Sequence, residues 1–354
     1  MNLNYIKKTI RFSFLLIGFS LNAENNLTST DMGEALFDYS WHQRYAIFEA
    51  KSTATANRLS AVDTTSRISV VSFYQTQYLP NLSVAIGWTG NASSCQAGNT
   101  SQAYLNATFT MINYFRGMVN LEEVVNDASL NAASQQAALM MSVNNNLSHT
   151  PPTNWICYTQ DGAQAAGNSN LALGVSGPNS MVLYINDPGS NNQPVGHRRW
   201  ILNPRAASFG VGSVGGSTRS ANALWVFGGN TSRPTTDIVA WPPEGFVPNT
   251  VVYNRWSFSL NTSPSANYGS ASVSMTENGS PISLNVVSRT DNGFGDNTII
   301  WQPSGLSFPS GQADRTINVT VSGIGNASQS SYSYQVIVIN PEFLSDVIYA
   351  DGFE

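Results

Sequence analysis

Apolar positions along this chain change period twice, and the changes divide it. A first apolar run, Phe12 to Leu21, follows the basic residues Lys7, Lys8 and Arg11 and ends near the small residue Ala23. Basic start, short apolar middle and small residue at the exit predict a secretory signal over residues 1–23. An amphipathic stretch from Ala35 to Ala61 then predicts a helix, and Ile68, Val70, Val71 and Phe73 predict a short strand. From about residue 100 the spacing is helical. Leu105, Phe109, Ile112 and Phe115 fall on one face of a helix starting near Ser101, and Leu130, Ala133, Ala137 and Met141 stripe a second helix with Asp127 as its N-cap. Met140 and Met141 read as part of that packed face rather than as an adaptable binding surface.

After residue 235 the period becomes two. Trp256, Phe258 and Leu260 alternate with Arg255, Ser257 and Ser259; Ile317, Val319 and Val321 alternate with polar neighbours, as do Tyr332, Tyr334, Val336 and Val338. Such alternation predicts strands with one buried face. Asn278-Gly279 is a hairpin signal between Val273–Met275 and Ile282–Val286. Six or seven short strands with turns between them predict an all-β immunoglobulin-like sandwich. The Pro-rich run from Trp241 to Pro248 is read as its boundary. The expected organisation is therefore 1–23 signal, 24–74 N-terminal segment, 75–235 a mixed domain, 236–343 sandwich and 344–354 tail.

Composition narrows the partners. Of 354 residues only 10% are charged, and the net charge is -5. Loss of residues 1–23 removes three of 16 basic residues and none of 21 acidic ones, leaving 13 minus 21, or -8. A chain this poor in Lys and Arg is not expected to bind nucleic acid, whose phosphates demand clustered cations. The signal predicts an extracellular or periplasmic product, and no later apolar stretch is long enough to span a membrane as a helix, so it is expected to be soluble once exported. Export permits the one disulfide two cysteines allow, Cys95 with Cys157, closing a loop of about 60 residues and stabilising by roughly 4 kcal/mol.

Histidine is scarce, with three in the chain. His42 is read as packing or surface. His149 and His197 are 48 positions apart, so only a fold can unite them. Other motifs fail on context: Gly210-Val211-Gly212-Ser213-Val214-Gly215 fits a dinucleotide fingerprint by letter but lacks the following helix, and is read as a glycine-rich turn. The Asp291–Asp296 loop is read as a solvated strand connection rather than a calcium loop.

Residues 75–235 resemble the CAP superfamily, the SCP domain of cysteine-rich secretory proteins, antigen five and plant pathogenesis-related proteins. The resemblance is carried by Asn113-x-x-Arg116, the Ser148-His149 pair, Gly167-Asn168-Ser169-Asn170-Leu171-Ala172 in place of a Gly-Glu-Asn-Leu-Ala motif, Gly196-His197 with its Arg and Ile-Leu-x-Pro sequel, and the segments Phe209–Gly212 and Leu224–Gly228. It implies a three-layer α-β-α sandwich whose two His, here His149 and His197, face one cleft, often with a divalent metal and two Glu. The acids depart from the pattern: Ser169 stands where the first Glu should be, and Asp187 is the nearest substitute for the second. Two readings of the cleft follow, a weak, water-completed site for zinc or another divalent cation, or two imidazoles that only hydrogen-bond. The resemblance implies a binding or effector module for a lipid, glycan or protein ligand. Its rivals are a hydrolase with His149 or His197 as base, Ser148 or Ser169 as nucleophile and Asp187 as the orienting acid, and an adhesion or envelope-structural protein.

Overall fold

The computed structural model describes residues 62–215, 218–227, 229, 236–289 and 293–342. The signal and tail expectations, the Ala35–Ala61 helix and His42 lie outside these residues.

Six helices and thirteen strands follow in order among the described residues. Helix α1, Arg67–Phe73, occupies the segment expected to be a strand. Extended to Tyr78, the apolar positions read Val70, Val71, Tyr74 and Tyr78, all buried, which is a helical period. Ser66 caps the start by accepting from the Ser69 amide at 3.3 Å. Tertiary burial of that face outweighs the strand preference of Val and Ile.

Helix α2, Gln102–Met118, and helix α3, Ala128–Asn144, start where expected, capped by Ser101 and Asp127. Helix α4, Gln160–Gly167, is capped by Thr159, and helix α5, Gly177–Asn186, ends on the left-handed Asp187. A short helix α6, Gly196–Ile201, follows. Strands β1 (Val125–Asn126), β2 (Ser169–Leu173), β3 (Ser208–Val214) and β4 (Ala221–Trp225) form one sheet in the order β1-β3-β4-β2. On one face Ala137, Ala138, Met141, Ala165 and Ala166 of α3 and α4 pack against Leu171, Val214 and Ala223. On the other, α2 and α5 bury Phe115, Met181 and Ile185 in a core that also holds Ala172, Val211 and Leu224. This is the three-layer α-β-α arrangement that the resemblance implied.

The glycine-rich segment from Gly210 is not a turn. It is strand β3, and its glycines let a helix lie against the strand: a Cβ on Gly212 would stand 2.2 Å from the Gln135 amide nitrogen. The Gln135 amide completes the contact, accepting from the Ser213 N–H at 2.9 Å and donating to its carbonyl at 2.7 Å.

Nine strands make the second unit. Strands β5 (Ile238–Trp241), β7 (Trp256–Leu260), β10 (Leu284–Ser288) and β11 (Thr298–Pro303) form a sheet ordered β10-β11-β7-β5. Strands β6 (Gly245–Pro248), β8 (Ser272–Glu277), β9 (Ser280–Pro281), β12 (Arg315–Ser322) and β13 (Ser331–Ile339) form the other, ordered β6-β13-β12-β8-β9. Phe258 and Trp301 from one sheet meet Tyr334 and Met275 from the other. Asn278 and Gly279 make the expected tight turn with positive φ, but only Ser280 and Pro281 pair back to β8; the chain then crosses to the other sheet as β10. The Pro-rich run likewise sits inside the sandwich, carrying the chain from β5 to β6.

Ser257 and Ser259 alternate with apolar residues, yet both are buried. The face expected to be wet is covered by the first unit, whose Arg198 donates to Ser257 Oγ at 3.0 Å. Asp296 is also buried, not solvated: it pairs with Arg205, and its carbonyl accepts from Arg199 Nη2 at 2.7 Å. A single apolar cluster runs through both units, with Phe115 and Trp241 rings 5.4 Å apart across the seam.

Candidate functional site

The α4–β2 junction is hydrogen-bonded to both His149 and His197. His149 lies beyond α3, and its Nδ1 is 2.9 Å from the Ala166 carbonyl oxygen. A carbonyl cannot donate, so Nδ1 carries the proton and Nε2 keeps its lone pair in the neutral ring. Three residues on, Ser169 opens β2 with its hydroxyl buried and without a hydrogen-bond partner. Trp225, half-buried, stands directly opposite Ser169 in the antiparallel pair. Asn170 points to the other side, where its Nδ2 donates to the His197 carbonyl at 3.1 Å. His149 and His197 are thus both tied to the five-residue run from Ala166 to Asn170, whose ends are within about 14 Å even if fully extended.

His197 begins α6 after the left-handed Val195. Asp187, 1% exposed, accepts from the His197 amide at 3.0 Å and from its Nδ1 at 2.7 Å. Tyr184 stacks on the imidazole with ring centroids 5.2 Å apart, and its hydroxyl donates to the Asn170 carbonyl at 3.0 Å and to Asn222 Oδ1 at 2.9 Å. The ring is therefore held on one edge and one face, with Nε2 turned away from Asp187.

Burial pulls the His197 pKa down, but the Asp187 charge and its hydrogen bond together outweigh burial, so the net shift is upward. A raised folded-state pKa stabilises the fold fully below the unfolded value of about 6.5, and that contribution is lost as pH climbs through the folded-state value. Urea unfolding from about pH 5 to pH 9 is expected to show this decline, and Asp187→Asn to flatten it. An unchanged slope in the variant would remove Asp187 as the cause.

The donor set does not fit a tight zinc centre. Both Asp187 oxygens are engaged by His197, and no group of three or more His, Cys, Asp or Glu able to hold a metal occurs among the described residues. Two imidazoles fall short of the three or four protein ligands such a centre uses.

The Asn113-x-x-Arg116 pattern has a structural role. Asn113 exchanges two hydrogen bonds with the Val124 backbone, each 3.0 Å. Arg116, fully buried, donates to the carbonyls of Glu122, Ile201 and Asn203, so the Asn-x-x-Arg pattern fixes α6 from below. Tyr184 and Asn222 had no signal beyond polarity in apolar surroundings. Cys95 and Cys157 form the expected disulfide, Cα atoms 5.1 Å apart, pinning the loop beyond His149.

Two layers of helices about a mixed sheet define a class of fold. Residues 109–228, about a third of the 354, match the family model of CAP, the cysteine-rich secretory protein family. No curated protein matches the chain. Among the described residues no helix is long and apolar enough to cross a membrane.

Proposed function

We propose that this is an exported binding module, a CAP-like unit fused to an immunoglobulin-type sandwich, which takes a hydroxyl-bearing ligand, a glycan or hydroxylated lipid, at the His149 and His197 cleft. One observation carries the reading: in its neutral form each imidazole gives its Nδ1–H to a protein oxygen, which leaves two Nε2 lone pairs as acceptors. Acceptors select a ligand that donates. Trp225, opposite Ser169, adds a half-buried aromatic ring at the α4–β2 junction. Strand order supports the sandwich type: β5-β7-β11-β10 faces a sheet in which β6 runs parallel to the last strand, β13, matching an A-B-E-D sheet against A′-G-F-C. The disulfide supports an oxidising destination.

Thermal shift against a panel of oligosaccharides and hydroxylated lipids tests the reading. At least one class is expected to raise the melting temperature of the protein but not of the His149→Ala, His197→Ala double variant; equal shifts, or none, would overturn it. Zinc titrated calorimetrically is expected to give equal heats for both proteins, and a difference would restore the metal reading. The hydrolase reading is favoured by the Asp187–His197 pair, which orients an imidazole as a general base requires. Labelling of Ser169 by a fluorophosphonate, abolished in His197→Ala, would put it first.

A further inference from the structure

The Asp187 to Val195 loop has few bonds of its own, among them Val195 N–H to the Asn192 carbonyl at 2.9 Å and Asn192 Nδ2 to the Pro188 carbonyl at 2.7 Å. Asp187, Gly189 and Val195 all have positive φ, and for β-branched Val195 that conformation is strained. Yet this loop sets the position of the carboxylate that orients His197. Further support comes from the other unit. Arg255, immediately before β7, sends Nη1 to the Asp187 carbonyl at 2.6 Å and to the Asn192 carbonyl at 3.1 Å, and Nη2 to the Gly189 carbonyl at 2.6 Å. The carbonyl of Arg255 accepts in turn from Arg198 Nη1 at 2.9 Å, and Arg198 is the residue after His197. Arg255 is thus held at its backbone by Arg198 while its guanidinium fork spans three loop carbonyls, a geometry that a single ammonium could not reproduce.

We infer that the β-sandwich is a working part of the cleft: Arg255 is a positioning residue that holds Asp187 and, through it, keeps the His197 ring with Nδ1–H inward and Nε2 outward. The inference rests on the cleft reading above and adds that the site needs both units. Of the charged and titratable groups, Asp187 accepts from the ring and Tyr184 stacks on it, while Arg198 and Arg255 interact with Asp187.

The test is the imidazole tautomer, read by long-range proton–nitrogen correlation on the full chain labelled with 15N-histidine. Three histidines give few signals, and alkaline buffer keeps them neutral. The protein is expected to show His197 as one tautomer, Nε2 unprotonated. Arg255→Gln is expected to lose that single-tautomer signature, its two nitrogen shifts converging, and Arg255→Lys to recover it only in part. Arg315→Gln, which breaks a distant sandwich pair with Glu277, should leave it intact and so separates positioning from general loosening. Asp187→Asn controls for the cleft reading. If it alters the His197 signature while Arg255→Gln does not, the inference falls and the dyad stands; if it too changes nothing, the cleft reading fails. Failure of both Arg255 variants to fold would also overturn the inference, because the arm would then be scaffold.

Discussion

Replacing Arg198 with alanine is expected to cost about 4 kcal/mol of stability, an order-of-magnitude figure built from orphaned buried acceptors at about 1–3 kcal/mol each and the cavity left behind. Arg198 is 1% exposed and donates to Ile185 O at 2.6 Å, Arg255 O at 2.9 Å, Ser257 Oγ at 3.0 Å and Asn186 O at 3.3 Å. Two of these acceptors end α5, where carbonyl oxygens have no helical partner and favour a cation. The others start β7, so one side chain joins the units. Burial lowers its pKa to about 10, which still leaves it charged at neutral pH. The melting temperature should drop on the order of 10 °C for this loss in a chain of this size. Arg198→Lys should recover little, since one ammonium cannot reach both units. A loss below about 1 kcal/mol would mean that water replaces the guanidinium at no cost.

Removal of the disulfide by Cys95→Ala with Cys157→Ala is expected to have a similar effect, about 4 kcal/mol, because a link between residues 62 positions apart restricts the unfolded chain. The effect should also be local. The bridge holds the 155–158 turn, whose Ile156 is clipped to Asn144 by two hydrogen bonds of 3.0 Å, and the same loop carries His149. Amide exchange is expected to rise most between residues 145 and 158 in the variant. Uniform exchange across the chain would show that the bridge acts on the unfolded state alone.

Elements whose apolar period is long and whose caps are local were legible. Ser101 and Asp127 start their helices as read, and the period of two marks β7, β12 and β13. Misreadings came where a distant surface decides. Ile68 to Phe73 is short enough for either period, and burial of Val70 and Val71 settles it as helix. The glycines of β3 looked like a turn because the partner that needs their missing Cβ, α3, lies some 80 positions earlier. Ser257, Ser259 and Asp296 read as wet because nothing in their neighbours announces a second unit on that face.

The cleft divides in the same way. His149, His197, Ser169, Asn170 and Asp187 could be picked out by motif, and the cysteine pairing followed from there being two. Protonation and orientation could not. That His197 presents Nε2 depends on Asp187 accepting at Nδ1, and that Asp187 does so depends on a left-handed cap steadied by Arg255 from 68 positions away. Local periodicity and capping act over a few residues, so the chain alone determines its helices, its strands and the inventory of its chemistry. Hydrogen bonds across the seam act over any sequence distance, so only the folded molecule decides which nitrogen faces the cleft and which domain holds it there.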